Sequence, residues 1–362
     1  MSDEQDQVQG SDTGAASRAG LSTRGPVRPT MADVAAHAGV SHQTVSRVLN
    51  DFPGVRADTA RRVRESIHEL GYLPNIAARL LASTRSRTIG VMTWGTGQFG
   101  PSQVLLGLQA AARETDYRLT IVSIHAMSSE AVQLAMDQLL EQRPEAVVVV
   151  VPHETVLQIA HDIRLGIPTV IVEGDLSRTP LTAAVDNVQG ARLAVRHLLD
   201  LGHETVHHLA GPDRWSEAAA RVEGWRAELD SAGRSVPDLR RRGDWSADSG
   251  YRAGLDLAGQ AQVTAVFAGN DQMALGLLTA LREAGRAVPH DVSVVGFDDL
   301  PEAPFFSPPL TTIRQNFAEL GRRAMRMVER VLAGEETASA ELVPTTLVVR
   351  SSSAPPMATS RV

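Results

Sequence analysis

The sequence predicts an all-α helix-turn-helix head joined to an α/β body of two doubly wound parallel-sheet subdomains. Three observations lead there. First, Met31–Asn50 reads MADVAAHAGVSHQTVSRVLN, in which Val34, Ala35, Ala38, Val40, Val45, Val48 and Leu49 recur at the spacings of two short helices sharing one apolar side. Second, from Arg87 onward short Val- and Ile-rich runs alternate with amphipathic stretches, the pattern of a parallel sheet with crossover helices. Third, those runs outnumber the strands of one ordinary sheet, and 362 residues exceed one ordinary domain, so two sequential subdomains with a cleft between them are expected.

Residues 1–27 are rich in Ser, Gly, Asp and Gln, too poor in large apolar groups to offset the entropy of ordering, and read as a disordered tail. The head spans 28–73. Within it Gly39 suits a left-handed turn, and Ser41 can cap the second helix by accepting a backbone N–H. After a turn at Asp51–Gly54, Ala57–Leu70 presents Val63, Ile67 and Leu70 as a stripe to cover the first two helices, and Gly71 ends the element. Residues 74–87 are read as a hinge helix, Asn75–Ala82, and a polar linker. A helix of two turns has no core of its own and needs a partner, its copy in a dimer or DNA.

The body, 88–350, offers strands at Thr88–Met92, Arg118–Ile124, Ala146–Val151, Thr169–Val172, Ala183–Val185, Thr205–Leu209, Ala265–Ala268, Val292–Gly296 and Leu347–Val349. Helical stretches fall at Ser102–Thr115, Glu130–Gln142, Val188–Leu201, Ala218–Ala232, Ala247–Leu257, Gln272–Ala284 and Phe317–Ala333. A ligand in such a body sits at the C-terminal ends of the strands, between the lobes. Residues 351–362, rich in Ser and Pro, read as a flexible C-terminal tail without leucine heptads.

Charge separates the parts. The net −7 is uneven: 28–87 hold nine Arg against five acids, whereas 88–362 hold 24 Arg against 33 acids. A basic head on an acidic body attracts the phosphate backbone at one end only. The second helix of the head presents His42, Gln43, Thr44, Ser46, Arg47 and Asn50, donors and acceptors suited to base edges and phosphates; a helical hairpin with a merely solvated face is the plain alternative. The absence of cysteine removes disulfides and thiol chemistry and fits a reducing cytoplasm. The absence of a long apolar run or a secretory pattern points away from membranes and export, and a cytoplasmic location is expected.

On these residues the chain resembles the lactose-repressor (LacI/GalR) family, and most closely its namesake, over roughly Pro29 to Arg350. The resemblance lies in DVAAHAGVSHQTVSRVLN, GYLPNIAARLLA, IGV, PSQ at Pro101–Gln103, LAGP at Leu209–Pro212, GDWSADSG at Gly243–Gly250, NDQMALG at Asn270–Gly276, DVSVVGFDD at Asp291–Asp299 and PPLTTIRQNF at Pro308–Phe317. It implies a periplasmic-binding-protein-like body and a homodimeric repressor on a pseudo-palindromic double-stranded operator, released by a carbohydrate, a β-galactoside or related sugar. Regulation by another sugar or by a corepressor is the alternative, and a dimer follows from the missing leucine heptads.

By the same resemblance His42, Gln43 and Arg47 read bases, with Arg47 suited to a bidentate contact with guanine. Ser41, Thr44, Ser46 and Asn50 contact phosphates. Asn75, Ala78 and Leu81 enter the minor groove, with Leu81 as an apolar wedge or, alternatively, a plain packing leucine. Arg221, Asn270 and Asp298 grip sugar hydroxyls, Gln315 and Phe317 match second-lobe positions, and Trp245 offers an aromatic face. Phe99, Pro101 and Ser102 join them, with Glu173. Apart from this pattern, Arg221 would read as a surface arginine and Asp298-Asp299 as an ordinary turn.

Several residues depart from the namesake. His42 replaces a Tyr and Glu173 an Asp, Glu217 replaces a small polar residue, and WGTGQFG at Trp94–Gly100 brings Trp94, Gln98 and Phe99 toward the expected pocket wall. No enzyme is expected, and neither catalytic residues nor a metal or cofactor. The histidines at 153, 161, 203, 207 and 208 lack a ligand-like set of partners. Adjacent acids such as Asp298 and Asp299 seldom face each other across a glycosidic bond. A free sugar-binding transport protein would share the body but not the head.

Overall fold

The computed structural model describes residues 29–49, 52–72, 85–94, 97–151, 153–162, 166–174, 181–239, 242–335 and 340–357. The predicted N-terminal tail and hinge helix, and with them Asn50, Asn75, Ala78 and Leu81, lie outside the described residues. The chain forms two compact units that divide between Thr84 and Arg85.

The first unit contains α1 (Met31–Ala38), α2 (His42–Leu49) and α3 (Ala57–Leu70). Thr30 starts α1 through a capping box: its backbone N–H donates to the Asp33 carboxylate at 2.7 Å, and its hydroxyl accepts from Asp33 N–H. Gly39 ends α1 at φ 63°, a left-handed conformation that a Cβ would strain. Two residues on, Ser41 Oγ accepts the Thr44 N–H at 3.1 Å and opens α2. Val34, Ala35, Ala38, Val45, Val48 and Val63 meet in one small core, which Tyr72 closes from beyond the end of α3.

The second unit is two lobes, each a sheet between layers of helices. The N-lobe contains β1 (Thr88–Trp94), α4 (Phe99–Arg113), β2 (Arg118–Ile124), α5 (Ser129–Glu141), β3 (Ala146–Val150), α6 (Glu154–Asp162), β4 (Thr169–Val172) and β5 (Thr182–Val185). The C-lobe follows with α7 (Asn187–Asp200), β6 (His207–Leu209), α8 (Ser216–Ser231), α9 (Ala247–Ala258), β7 (Ala265–Ala268), α10 (Asp271–Glu283), β8 (Ser293–Asp298) and β9 (Thr311–Arg314). Next come α11 (Phe317–Leu332), β10 (Glu341–Val343) and β11 (Thr346–Val348).

The sheet orders are β10-β5-β4-β3-β1-β2, parallel throughout, and β11-β9-β8-β7-β6, parallel except for β11 at the edge. Covering both faces explains the unbroken apolar strands: every residue of Ala146–Val150 is buried.

The two lobes are not sequential, as expected from the sequence, but interleaved. After β9 the chain returns to the N-lobe, where Leu320, Ala324, Met325 and Val328 of α11 join the core built by β1, β3 and α4. It then adds β10 to the N-lobe sheet and β11 to the C-lobe sheet. At the α4–α11 contact the backbones touch, because a Cβ at Gly321 would lie 2.2 Å from the Gly107 carbonyl carbon. Only glycine at both positions allows that approach.

The flexible tail expected from 351 also needs correction over 351–357. Ser352 is fully buried; its hydroxyl donates to Val294 O at 2.6 Å and accepts the Thr311 N–H at 2.7 Å. Ser293 Oγ donates to Ala354 O. Small polar side chains that satisfy strand backbone fix this segment without an apolar anchor, a form of attachment that composition does not reveal.

Candidate ligand cleft and nucleic-acid interface

Between the lobes lies a cavity of about 300 Å³. Its C-lobe side is built where α8, β7, β8 and β9 present their ends. Arg221, only 5 % exposed, sits at the centre on α8. Its Nε donates to Asn187 Oδ1 at 2.9 Å, a second nitrogen donates to Gly269 O, and the third faces Asp298 at 3.8 Å. The guanidinium lies 3.9 Å from the Phe297 ring centroid and 5.3 Å from that of Trp245. Planar charge stacked on rings and forked onto acceptors is what arginine does better than lysine.

Around Arg221 the polar groups hold one another in place. Asn187 donates to Glu173 Oε2 at 3.1 Å, and Val185 N–H donates to Glu173 Oε1 at 3.0 Å. Gln315 donates to Asp298. Asn270 caps α10 by accepting Met273 N–H, while its amide donates to Trp245 O at 3.1 Å. Trp245 is bent into a left-handed conformation, φ 72°, and its ring packs where a Cβ at Gly211 would intrude. Asp298 and Asp299 also have positive φ, yet their roles separate. Asp298 lines the cavity, whereas Asp299 accepts from Arg314 and Arg350, each at 2.6 Å.

Burial dominates the charge states. Loss of water pushes Glu173 up to about 7, although Val185 N–H, Arg221 and Asn187 oppose it. The same cause raises Asp298 to about 6 against Arg221 and Gln315. Glu217 rises to about 8, with Arg221 opposing and the Glu173 charge adding to the shift. Asp271, beneath the site, is also raised by burial and by Asp298; it accepts from Thr312 Oγ1 at 2.6 Å and Leu300 N–H at 2.8 Å.

The structure brings Phe99, Pro101, Glu173, Arg221, Trp245, Asn270, Asp298, Gln315 and Phe317 to this one cavity. Ser102 is not in its lining: the hydroxyl turns back to donate to Gln98 O at 2.7 Å inside the first turn of α4. Trp94 is not in it either, and packs against apolar clusters of both lobes. Gln98 and Glu217, noted in the sequence only as departures, line the cavity, together with Asp244, Ser246 and Gln272, which sequence reasoning missed. The GDWSADSG and NDQMALG stretches contained them, but alternation gives no hint of which member faces a cleft.

In the first unit α2 exposes Ser41, His42, Gln43 and Arg47, with Thr44 and Ser46 half-buried and Val45 and Val48 turned into the core. The Arg47 guanidinium sits 5.8 Å from the Phe52 ring centroid. A rigid helix thus presents one polar face, fixed by an apolar one.

A two-lobed α/β body with a polar cleft, following a helix-turn-helix head in one chain, is the make-up of a ligand-responsive transcriptional regulator. Comparisons with known proteins agree. Residues 30–75 match the bacterial regulatory proteins of the lacI family, and 195–353 match the periplasmic binding protein-like domain. The lactose operon repressor of Escherichia coli (strain K12) is 34 % identical over 90 % of this chain and 91 % of its own length. The regulator GalS of Salmonella typhimurium is 38 % identical over 84 % of this chain and 90 % of its own length. A crystal structure of the Lac repressor bound to ONPG in the repressed state superposes with a TM-score of 0.82 at 33 % identity, covering 90 % of this chain and 99 % of that one. A CelR–cellobiose complex gives 0.67 at 31 % identity, covering 90 % and 100 %. The chain belongs to the lacI family of transcriptional regulators.

Among the described residues no helix is long and apolar enough to cross a membrane.

Proposed function

We propose that the protein is a homodimeric repressor of sugar-utilisation genes whose operator affinity falls when a carbohydrate, a β-galactoside or related sugar, fills the cleft. The observation behind it is Arg221, a buried guanidinium fixed by Asn187, Gly269 and Asp298 beside aromatic rings. Hydroxyl-rich rings with apolar faces need that pairing of fixed polar groups and aromatic surface. Relatives support it: solved structures include the Lac repressor dimer bound to operator and the anti-inducer ONPF. A second reading, a β-linked glucose disaccharide as effector, is favoured by the CelR–cellobiose structure, which aligns over 90 % of the chain. A repressor of this kind works in the cytoplasm, where the DNA is.

On DNA, His42, Gln43 and Arg47 read base edges while Ser41, Thr44, Ser46 and Asn50 hold phosphates. Asn75, Ala78 and Leu81 act in the minor groove, where Leu81 wedges the central step. The domain plan of tail, head at 28–73, hinge at 74–87 and body from 88 belongs to the same proposal. Linkage gives the mechanism: the sugar binds the DNA-incompetent state better, so DNA weakens sugar binding by the same factor.

The experiment is sugar titration with and without operator DNA, followed by fluorescence anisotropy of labelled operator. Equal sugar affinity in both states rules the mechanism out. Leu81→Ala is expected to weaken specific operator binding far more than binding to random duplex.

A further inference from the structure

We infer that Glu217 is a specificity-determining residue of the cleft whose carboxylate receives an ammonium group, so that the preferred effector is an amine-bearing sugar. The inference rests on the sugar reading above and narrows it.

The cavity holds the carboxylates of Glu173, Glu217 and Asp298, and Asp244 at its edge, while Arg221 is the one cation among its described lining residues. Arg221 is already committed to Asn187, Gly269 and Asp298. Glu173 is bonded by Val185 and Asn187, and Asp298 by Gln315. Glu217 differs: its Oε2 is cut off from solvent and meets no donor. It stands one helical turn before Arg221 on α8, so both side chains belong to the face that borders the cavity.

A buried acceptor without a donor is costly until a ligand supplies one. A hydroxyl meets the protonated carboxyl in a neutral bond; an ammonium pairs with the ionised carboxylate in a charge-assisted bond, roughly twice as strong, and offsets the surplus of acidic groups. A phosphate or carboxylate on the ligand would worsen that surplus.

Proton balance follows. Burial keeps Glu217 protonated up to about 8, with Arg221 and the residue's own backbone N–H opposing and Glu173 and Asp298 reinforcing the shift. When R–NH3+ binds near pH 7, the carboxyl O–H bond breaks, its proton leaves to the buffer, and the carboxylate pairs with the intact ammonium. A neutral sugar leaves that proton in place.

The test is calorimetric titration of the full-length protein at pH 7 with galactose against galactosamine and glucose against glucosamine, in two buffers of different ionisation enthalpy. At least one amino sugar is expected to bind tenfold or more tightly than its neutral counterpart, with net proton release. Glu217→Gln should abolish both the preference and the release, and Glu217→Ser gives the same reading if Gln disturbs α8. Neutral sugars binding as tightly in both pairs, or an amine preference that survives both substitutions, would overturn the inference and leave the sugar reading standing. Binding of none of the four overturns the inference, while the glycoside and disaccharide readings are decided by the operator titration above.

Discussion

The two walls of the cleft are made differently. The C-lobe contributes Arg221, Asn270, Asp298 and Gln315, each fixed by a hydrogen bond or ion pair to a neighbour. The N-lobe contributes Phe99, Pro101, Val104, Val150 and Phe317, with Gln98 and Glu173 as its polar members. One wall orients a ligand through preset donors and acceptors; the other excludes water and reads shape. Gln315 and Phe317, two residues apart, stand on opposite walls because the chain changes lobes between β9 and α11.

If the C-lobe wall dominates recognition, Arg221→Met gives the largest effect. It leaves Asp298 buried without its ion pair, a loss of about 3–5 kcal/mol by the usual cost of breaking buried pairs. The expected result is at least a hundredfold weaker effector binding, with operator affinity retained; calorimetry and anisotropy check the two halves. The N-lobe wall depends on α4 and α11 touching. Gly321→Ala should therefore cost about 1–3 kcal/mol of stability, as overpacking does, visible in urea unfolding. Phe99→Ala removes the edge-on partner of Phe317, whose ring lies 5.9 Å away. About fivefold weaker sugar binding is expected from the roughly 1 kcal/mol that such pairs add, and an unchanged affinity would show that the Phe99 ring contributes nothing to recognition.

The smallest effect is pH dependence. Asp298, Glu173 and Glu217 are raised from 3.8, 4.5 and 4.5 to about 6, 7 and 8, so the folded protein binds more protons than the unfolded chain across that interval. Their contribution to stability is then largest at the acid end and declines as pH rises from about 5 to 8. His153, His197, His203 and His208, held below the usual imidazole range by loss of water, contribute in the opposite sense below about 6.5. Between pH 7 and 8.5, above the range in which the buried histidines take up protons on unfolding, the ligand-free melting temperature should fall, and Glu217→Gln should flatten that fall. A rising melting temperature over the interval would contradict the assignment.

Much of the head was legible in the sequence because its signals are local. Gly39, Ser41 and Gly71 act within a few residues of the turns they make. Strands such as Ala146–Val150 were legible because burial on both faces requires an apolar run. β9 and β10 escaped: TTIR and ELV are short and partly polar, and only pairing with β8 and β5 makes them strands. α6, at Glu154–Asp162, escaped as well, since one short amphipathic stretch does not stand out from a loop. In the cleft the family resemblance pointed to Arg221 and Asp298, but Asp244, Ser246 and Gln272 became visible only when α9, α10 and β8 were brought together.

By itself the sequence determined the helical head, its polar second helix and the alternating α/β body, since periodicity and turn chemistry act between near neighbours. Tertiary structure alone decided that the lobes interleave, that residues 351–357 are fixed along β8, and that Glu217 has a carboxylate oxygen without a donor. Each depends on groups far apart in the chain meeting where water is excluded, and no local pattern encodes such a meeting.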